Sequence, residues 1–570
     1  MKSKKLLIPI AAISASVFVL VSAFERNPQK DTTNLQPERP NIVLIMADDL
    51  GFSDVGCYGG EVNTPNIDFL AKNGLRYREF YNTSRCCPTR ASLLTGLYNQ
   101  QAGIGKMTEA EDEPGYLGHL AENTVTLAEV LKNAGYHTAM SGKWHVSNTT
   151  VQKNPKEQLA WLNHQKDYGD FSPIAQYPTS RGFEQFFGTI WGVVDFFDPF
   201  SLVSGTKPIK TVPKDYYQTD AINDTAVAYI NSWKKSNKPF FLYVAQNAPH
   251  WPLQAKPEDI AKYKETYKVG WDVIREARYK KMLQLGLIDS TTTKLSKPAA
   301  RTNSWENNPD KVWDAEAMAV HAAMIDCMDQ GIGRIIDALR NTRKLDNTII
   351  IFLSDNGASP ENAAAYGSGF DRPSETRNGS PIIYATKKEA MPGPQTTYSS
   401  IGRVWANVAN TPYEYAKAES YEGGIHTPMI AFWPKGITKN VGGYSNQVGH
   451  VMDFMQTFVD IAGVKYPETC KGKNITPTTG LTLVPSFKGQ VSAGHEKLFN
   501  EHFGARYARL GKWKLVSLSN DSTWHLYDLS EDHSETKDLA AQNPVKVAEL
   551  RGLWKQWANG HQVFPKPTHK

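Results

Sequence analysis

Four short apolar runs along the chain each end in a polar cluster, and this repetition constrains the fold more than any other feature. The runs are residues 41–46, 138–141, 240–245 and 348–353, and helical patterns over 126–134, 221–235 and 315–340 lie between them. Continuous apolar runs of this length are typical of strands buried on both faces. Strands that alternate with helices predict an α/β fold with a large, mostly parallel sheet sandwiched between helices.

The polar clusters fall where such sheets bind ligands, which is beyond the carboxyl ends of the strands. These clusters are Asp48-Asp49, Lys143 with His145, His250, and Asp355-Asn356. Four segments that are distant in the chain are therefore expected to converge on one edge of the sheet. We predict that this edge is the functional site.

The segment Cys86-Cys87-Pro88-Thr89-Arg90, followed by Ala-Ser-Leu-Leu-Thr-Gly, indicates the start of a helix. Proline is tolerated in a first helical turn but not in a helix interior, so Pro88 marks the start. Cys86 then lies at a helix N-terminus, where unpaired N–H groups and the helix dipole favour negative charge. Arg90 lies four residues further on, on the same side. A nucleophile beside a guanidinium suits an anionic substrate; the alternative is a helix cap with a buried thiol.

Asp48, Asp49, Asp355 and Asn356 offer only oxygen ligands. Adjacent carboxylates repel, and both stay ionised only near a cation or strong donors. Oxygen ligands select a hard cation, and several carboxylates in irregular geometry favour calcium over magnesium. Zinc would call for His or Cys, which these two segments lack. An isolated Asp-Asp pair is more often a solvated turn, so the prediction depends on the convergence of the strand ends.

Cys86-x-Pro88-x-Arg90 followed by Leu94-Thr95-Gly96 resembles the signature of the type I sulfatases, in the alkaline phosphatase superfamily. In that family a maturation enzyme oxidises the first cysteine to formylglycine, whose aldehyde hydrate is the nucleophile. Further family positions match in order and local context over residues 40–435, namely Lys143, His145, His250 and Lys417. The resemblance implies an alkaline phosphatase-like fold and hydrolysis of sulfate monoesters. It also implies one calcium ion bound by Asp48, Asp49, Asp355, Asn356 and the modified Cys86.

The same resemblance implies a role for each matched side chain. Calcium and Arg90 stabilise the hydrated aldehyde, and Asp355 could take its proton. Lys143 and Lys417 neutralise the sulfuryl oxygens during attack. His250 protonates the departing alcohol or phenol. His145 then removes a second proton, so that sulfate leaves and the aldehyde is restored.

Two other functions fit parts of the pattern. Phosphonate and phosphodiester hydrolases of the superfamily use the same nucleophile but carry Asp-His where this chain has Asp355-Asn356, which favours sulfate esters. A catalytically silent protein that binds sulfated glycans would be expected to lack at least one of these residues, and none is lost. An exported sulfatase would act on sulfated saccharides by family analogy, with aryl sulfates as further substrates.

The amino terminus indicates export. Lysines at positions 2, 4 and 5 precede the apolar run 6–24, which predicts a signal peptide over residues 1–23, a linker over 24–39, and a periplasmic or secreted protein. The run is nearly long enough to span a bilayer, so an uncleaved anchor is the alternative; after cleavage we expect no membrane association. The net charge of +5 on 570 residues gives no case for nucleic acid. Five scattered cysteines are too few for a disulfide framework.

Beyond the linker we predict a catalytic domain over 40–439 and a smaller α+β domain over 440–570, with short antiparallel strands at 507–517 and 523–529 and a closing helix at 545–559. The long loop 358–411 joins the metal pair to Lys417, so we expect it to pass over the site. It carries Arg372 and Arg377, which with His426 are the predicted contacts to a sulfated sugar. Four tryptophans, at 191, 251, 305 and 405, are candidates to stack on the substrate. The basic stretch 275–281, in the polar insertion 254–313, is predicted to form a solvated face.

Overall fold

The computed structural model describes residues 39–385 and 390–564, so the predicted signal peptide (1–23) and most of the predicted linker lie outside the described residues. In chain order the strands are β1 (Asn41–Ala47), β2 (Leu75–Tyr77), β3 (Phe80–Tyr81), β4 (His137–Gly142), β5 (Gln185–Thr189), β6 (Leu202–Ser204), β7 (Lys207–Pro208), β8 (Phe240–Ala245), β9 (Thr348–Ser354), β10 (Ile383–Tyr384), β11 (Thr397–Tyr398), β12 (Met429–Phe432), β13 (Tyr444–Ser445), β14 (Gly449–His450), β15 (Thr469–Cys470), β16 (Lys473–Asn474), β17 (Lys497–His502), β18 (Ala505–Leu510), β19 (Trp513–Ser517) and β20 (His525–Asp528). The α-helices are α1 (Pro65–Lys72), α2 (Cys86–Thr95), α3 (Leu127–Asn133), α4 (Pro155–Leu162), α5 (Gln218–Ser232), α6 (Pro257–Ala261), α7 (Trp271–Gln284), α8 (Lys311–Asn341), α9 (Ala363–Tyr366), α10 (Gly402–Ala409), α11 (Glu422–Ile425), α12 (Asp453–Ala462), α13 (Val484–Phe487) and α14 (Pro544–Gly560).

The main sheet has ten strands in the order β13-β2-β12-β9-β1-β8-β4-β5-β6-β7. Its centre, β9-β1-β8-β4-β5, is parallel throughout. Antiparallel β12 on one side and β6 on the other make the whole sheet mixed. The four predicted central strands are adjacent, as the alternation of strands and helices requires.

Both faces of this sheet are covered, because successive side chains of β1 enter different cores. Val43 and Ile45 pack into a cluster that includes the apolar sides of α5 and α8. Ile42, Leu44 and Met46 pack into a second cluster with residues of α2 and α12. The predicted α/β sandwich with a mixed, mostly parallel sheet is confirmed.

A second, four-stranded antiparallel sheet, β17-β18-β19-β20, forms near the carboxyl end. Helix α14 packs on it through Leu550, Trp554 and Trp557. The span predicted as one strand, 507–517, lies in the hairpin β18–β19, which turns at Gly511 with a φ of +55°. Between residue 440 and this sheet, β13 pairs with the main sheet and α12 packs against α2 and α3. Within the described ranges, no helix is long and apolar enough to cross a bilayer.

The prediction that the basic stretch 275–281 is a solvated face is wrong for two of its arginines. Arg275 and Arg278 point inward from α7, and Arg278 is 1% exposed. The Arg278 guanidinium lies 2.7 Å from carboxylate oxygens of both Asp54 and Glu61. Asp54 in turn accepts a hydrogen bond from the backbone N–H of Gly51, in the turn that follows the aspartate pair. The insertion therefore helps to hold that turn.

We expect Arg278→Met to destabilise the protein by about 3–5 kcal/mol in chemical denaturation, because two carboxylates lose a partner in the interior. Although burial opposes ionisation, His321 and Arg278 keep the pKa of Asp54 below its usual range, and Arg278 does the same for Glu61. Their contribution is therefore present above the ordinary carboxylate pKa of about 4 and is lost below it, so the deficit should shrink in acid. Lys280→Met, at a lysine 69% exposed on the same helix, is the control. An equal loss in the control would contradict this role.

Candidate active site

The carboxyl ends of four adjacent parallel strands meet at one edge of the main sheet. Ala47 of β1 is aligned with Ser354 of β9, and Ala245 of β8 is aligned with both Met46 and Gly142. The residues that follow these strands are Asp48-Asp49, Asp355-Asn356, the segment to His250, and Lys143. The predicted convergence is therefore present, and it places these side chains in a buried cluster.

The acidic part of the cluster is almost closed to solvent. Asp48, Asp49, Asp355 and Asn356 are at most 2% exposed. The Asp49 backbone N–H donates to Asp355 Oδ1 at 3.2 Å, and Asn356 Nδ2 donates to Asp49 Oδ1 at 2.6 Å. The turns after β1 and β9 are thus bonded to each other, which fixes the spacing of their oxygens.

Three buried cations face these carboxylates, one for each aspartate. Arg90 of α2 donates to Asp355 Oδ2 through Nε at 3.1 Å and Nη2 at 2.7 Å. Lys143 Nζ lies 2.5 Å from Asp48 Oδ2, and Lys417 Nζ lies 2.9 Å from Asp49 Oδ2. Buried charges are tolerated only when they are paired, and each of these aspartates has a buried cation as its partner.

Two oxygens of the cluster are better placed to bind a metal ion than to accept a hydrogen bond. Within the described residues, Asp48 Oδ1 and Asn356 Oδ1 are buried and accept no hydrogen bond. Buried acceptors without a hydrogen bond call for an explanation, and a bound metal ion would be one. Burial raises the pKa of Asp355 well above its usual range, and the charge of Asp48 adds to this. A hard divalent cation would relieve that repulsion and satisfy both oxygens.

Helix α2 presents the candidate nucleophile. It begins at Cys86, two residues before the start that Pro88 predicted, so Cys86 does lie at its N-terminus. A hydrogen bond from Cys87 holds the pKa of the Cys86 thiol well below its usual range, with help from His145 and Lys143 against burial. Burial raises the pKa of Cys87 instead. The pKa values of the two neighbouring thiols are therefore shifted in opposite directions.

The two histidines contact different parts of the cluster. Burial lowers the pKa of His145 to about 4, so its imidazole is neutral near pH 7 and can accept a proton; its Nε2 lies 3.8 Å from Cys87 Sγ. His250 Nε2 lies 3.2 Å from Lys417 Nζ and 3.5 Å from Asp49 Oδ2. Its Nδ1 lies 2.5 Å from the carbonyl oxygen of Trp251, which fixes the ring plane.

Glu361 is a member of the site that sequence reasoning missed. Its carboxylate lies 3.2 Å from Lys417 Nζ and 3.0 Å from Arg85 Nη2, and it accepts a 2.8 Å hydrogen bond from Trp251 Nε1. Although burial opposes ionisation, Lys417 and Arg85 hold the pKa of Glu361 well below its usual range. The sequence feature that could have identified Glu361 is its position, six residues after Asp355 at the start of the long loop.

The three predicted substrate contacts are dispersed. Arg372 lies beside Tyr366, with its guanidinium 5.5 Å from the ring centroid. Arg377 is paired with Asp198 at 2.8 Å and lines a separate cavity of about 850 Å³. His426 is 2% exposed, and its ring nitrogens lie 2.6 Å from the Arg78 carbonyl oxygen and 3.0 Å from Glu422. Its polar atoms thus face structural partners.

The predicted stacking role of the tryptophans is wrong for three of the four. Trp305 and Trp405 pack with Trp271 beneath the surface, and Trp191 packs with Trp161. Trp251 alone of the four contacts the cluster, through His250, at a centroid distance of 5.5 Å. Tryptophan in the sequence did not identify a substrate contact here, because tryptophan side chains also fill hydrophobic cores.

Comparison with known proteins agrees with this geometry. Residues 40–464 match the model of the family described as Sulfatase, and an uncharacterised sulfatase of Schizosaccharomyces pombe is 32% identical over 91% of this chain and 93% of its own length. The chain belongs to the sulfatase family. Residues 414–557 match the C-terminal region of N-sulphoglucosamine sulphohydrolase. An arylsulfatase of Klebsiella aerogenes is 32% identical over 79% of this chain and 92% of its own.

One solved structure, in complex with its substrate D-glucosamine-2-N,6-O-disulfate, shares the fold of this sulfatase. Its TM-score is 0.59 at 20% identity, over 93% of this chain and all of the other. The predicted kinship with the type I sulfatases of the alkaline phosphatase superfamily is confirmed. The protein is therefore a sulfuric ester hydrolase, and its buried cluster is the candidate active site.

We expect this sulfatase, after treatment with a chelator, to gain thermal stability when a divalent cation is added, since the cation would offset repulsion among three buried carboxylates. Asp48→Asn should weaken that response by at least about tenfold in cation concentration, because a charged ligand is lost. Differential scanning fluorimetry against calcium and magnesium measures it. Asp346→Asn, outside the cluster in the turn before β9, is the control. A wild-type melting temperature that does not respond to either cation would contradict the inference.

Proposed function

We propose that this sulfatase hydrolyses sulfate monoesters with formylglycine, formed from Cys86, as its nucleophile and with one calcium ion. The observation that carries this proposal is the position of Cys86 at the start of α2, beside a buried cluster of oxygen ligands in which Asp48 Oδ1 and Asn356 Oδ1 accept no hydrogen bond. Asp48, Asp49, Asp355 and Asn356, together with the side chain at position 86, would hold the ion. When bound, the ion would supply positive charge for an anionic substrate and nucleophile.

The chain's own residues support each step of such a hydrolysis. Formylglycine would supply a hydrated aldehyde, a nucleophile that can later expel sulfate. Lys143 and Lys417 bring fixed positive charges to the same space, where they would bind sulfuryl oxygens, and Arg90 beside them would stabilise the hydrated aldehyde. His145, neutral near pH 7, is suited to accept a proton from residue 86. His250 is held by Trp251 and Lys417 and would donate a proton to the leaving oxygen.

Sulfated saccharides are the substrates that we propose, with aryl sulfates as lesser ones. The structural neighbour bound to D-glucosamine-2-N,6-O-disulfate acts on a sulfated sugar, and one relative is named an arylsulfatase. The loop after Asp355 brings Asp371 and Arg372 close to Tyr366, whose hydroxyl bonds Glu361. A charged pair of this kind complements the free hydroxyl groups of a sugar, which a simple aryl sulfate lacks.

A phosphonate or phosphodiester hydrolase of the same superfamily is the second candidate. It would carry Asp-His at the position of Asp355-Asn356, and here Asn356 bonds Asp49 within the cluster. We further propose that the enzyme is exported to the periplasm or beyond, on the strength of the sequence over residues 1–23, and that a maturation enzyme acts on Cys86.

We predict that active protein carries formylglycine at residue 86, because only Cys86 has Pro at +2 and Arg at +4. Peptide mass spectrometry should find the mass of the thiol replaced by that of the aldehyde at Cys86, with Cys87 unchanged. Cys86→Ala should reduce turnover at least about 10³-fold, since the nucleophile is removed. Cys87→Ala is the matched control and should retain most activity. Full activity of protein with an intact Cys86 thiol would overturn this mechanism.

We also expect catalytic efficiency to be higher on some member of a panel of sulfated monosaccharides than on 4-nitrophenyl sulfate, because sugar hydroxyls can pair with the polar groups of the loop. Turnover of 4-nitrophenyl phosphate and of bis-4-nitrophenyl phosphate, assayed in parallel, tests the second candidate. A phosphodiester as the best substrate would refute the proposed sulfate specificity. Equal efficiency on sugar and aryl sulfates would refute the preference for saccharides.

A further inference from the structure

A continuous stack of side chains runs from the candidate acid His250 toward solvent. The rings of His250 and Trp251 are 5.5 Å apart at 26°, and those of Trp251 and Tyr366 are 5.6 Å apart at 20°. The Arg372 guanidinium lies 5.5 Å from the Tyr366 centroid. Trp251 is 4% exposed and Tyr366 is 47% exposed, while the Arg372 side chain beyond Tyr366 is 14% exposed. We name Trp251, Tyr366 and Arg372 the aromatic wall.

We propose that the aromatic wall is the subsite for the leaving group, and that it takes a pyranose ring. This inference rests on the proposed sulfatase reaction. The group that donates a proton to the leaving oxygen must lie within hydrogen-bond reach of that oxygen. The remainder of the leaving group then has to lie next to His250, and the stack leads from His250 to the exposed Tyr366. The exposed part of Tyr366 offers apolar contact to a pyranose ring.

The polar end of the wall favours a sugar over a simple aryl group. Arg372 donates from Nε to the Gly367 carbonyl oxygen at 2.9 Å and from Nη1 to Asp371 Oδ1 at 2.5 Å. The guanidinium is thus held in one orientation beside a carboxylate. Donor and acceptor side by side match two neighbouring hydroxyls, whereas a phenyl ring could form no hydrogen bonds with this pair in their place.

Glu361 joins this wall to the sulfate-binding cations. Its carboxylate accepts from Trp251 Nε1 at 2.8 Å and from the Tyr366 hydroxyl at 3.3 Å, while it pairs with Lys417 and Arg85. Ser359 Oγ donates to its carboxylate and accepts from its backbone N–H, and Ser400 Oγ donates to its carbonyl oxygen. Glu361 is therefore a positioning residue. It sets the wall at a fixed distance from the cation that binds the sulfate.

Binding of the leaving group and binding of the sulfate can be measured separately by comparing a sulfated sugar with inorganic sulfate, since inorganic sulfate has no leaving group. Tyr366→Ala should raise the KM of the best sulfated monosaccharide about tenfold, equivalent to about 1.4 kcal/mol. The inhibition constant of inorganic sulfate should stay within about twofold, because the cations are untouched. Tyr366→Phe keeps the ring and should restore most of the affinity. Phe503→Ala, at an aromatic residue 46% exposed on the hairpin β17–β18, is the matched control.

Glu361→Gln should behave differently, because it loosens Lys417 as well as the wall. We expect both the inhibition constant of sulfate and the KM of the sugar to rise by at least about fivefold, since a charged partner of a buried lysine is removed. Circular dichroism and melting curves check that each variant folds. An unchanged sugar KM in Tyr366→Ala would overturn the subsite. Equal rises for sulfate and sugar in that variant would overturn it too, because Tyr366 would then shape the sulfate pocket.

Binding to Cys86→Ala protein distinguishes a failure of the subsite from a failure of the proposed reaction. Calorimetry with the same sulfated monosaccharide should give a dissociation constant that rises about tenfold when Tyr366→Ala is added. If the wild-type protein hydrolyses no sulfate ester but this difference persists, the reaction is wrong and the subsite stands. If turnover is normal and the difference is absent, the subsite alone is refuted.

Discussion

The structure depends on ion pairs that are buried where water is excluded. Three aspartates lie at the carboxyl edge of the sheet with almost no exposure, and a buried Arg90, Lys143 or Lys417 faces each of them. In a medium of low polarity an unpaired carboxylate would be costly, so each partner is needed for folding as well as for chemistry. The same balance prepares the site for a sulfate ester, because an incoming anion and a cation can join it together.

These buried ion pairs require that the surrounding turns, helix α7 and the long loop be held in place. The turn after β1 is bonded to Asp355 and Asn356 from β9, and through Asp54 it is also tied to Arg278 on α7. Lys417 is tied to Glu361 at the start of the long loop. An oxygen displaced by about 1 Å would weaken each of these contacts, and catalytic efficiency is sensitive to such displacements. The insertions are therefore part of the support of the site.

The long loop links chemistry to recognition. Its first part provides Glu361 and Tyr366, which contact the cations and Trp251, while a later part provides Arg377, whose partner Asp198 lies at a separate cavity. The first part reaches His250 through Trp251. A loop anchored at the catalytic cluster can vary further along without disturbing the cluster, which is how one fold serves many substrates.

The sequence by itself determined the α/β class, the central strands, the nucleophile segment and the ionic cluster. Those features follow from local patterns, namely apolar runs that end in polar residues and a proline near a helix start, and parallel strands bring their ends together whatever the loops do. Only the tertiary structure decided the rest. It showed that Arg278 is a buried partner, that three tryptophans belong to the core, that His426 faces structural groups, and that Glu361 connects Lys417 to the aromatic wall. Charge and aromaticity in a sequence do not reveal which way a side chain points, because that direction is set by contacts between segments far apart in the chain.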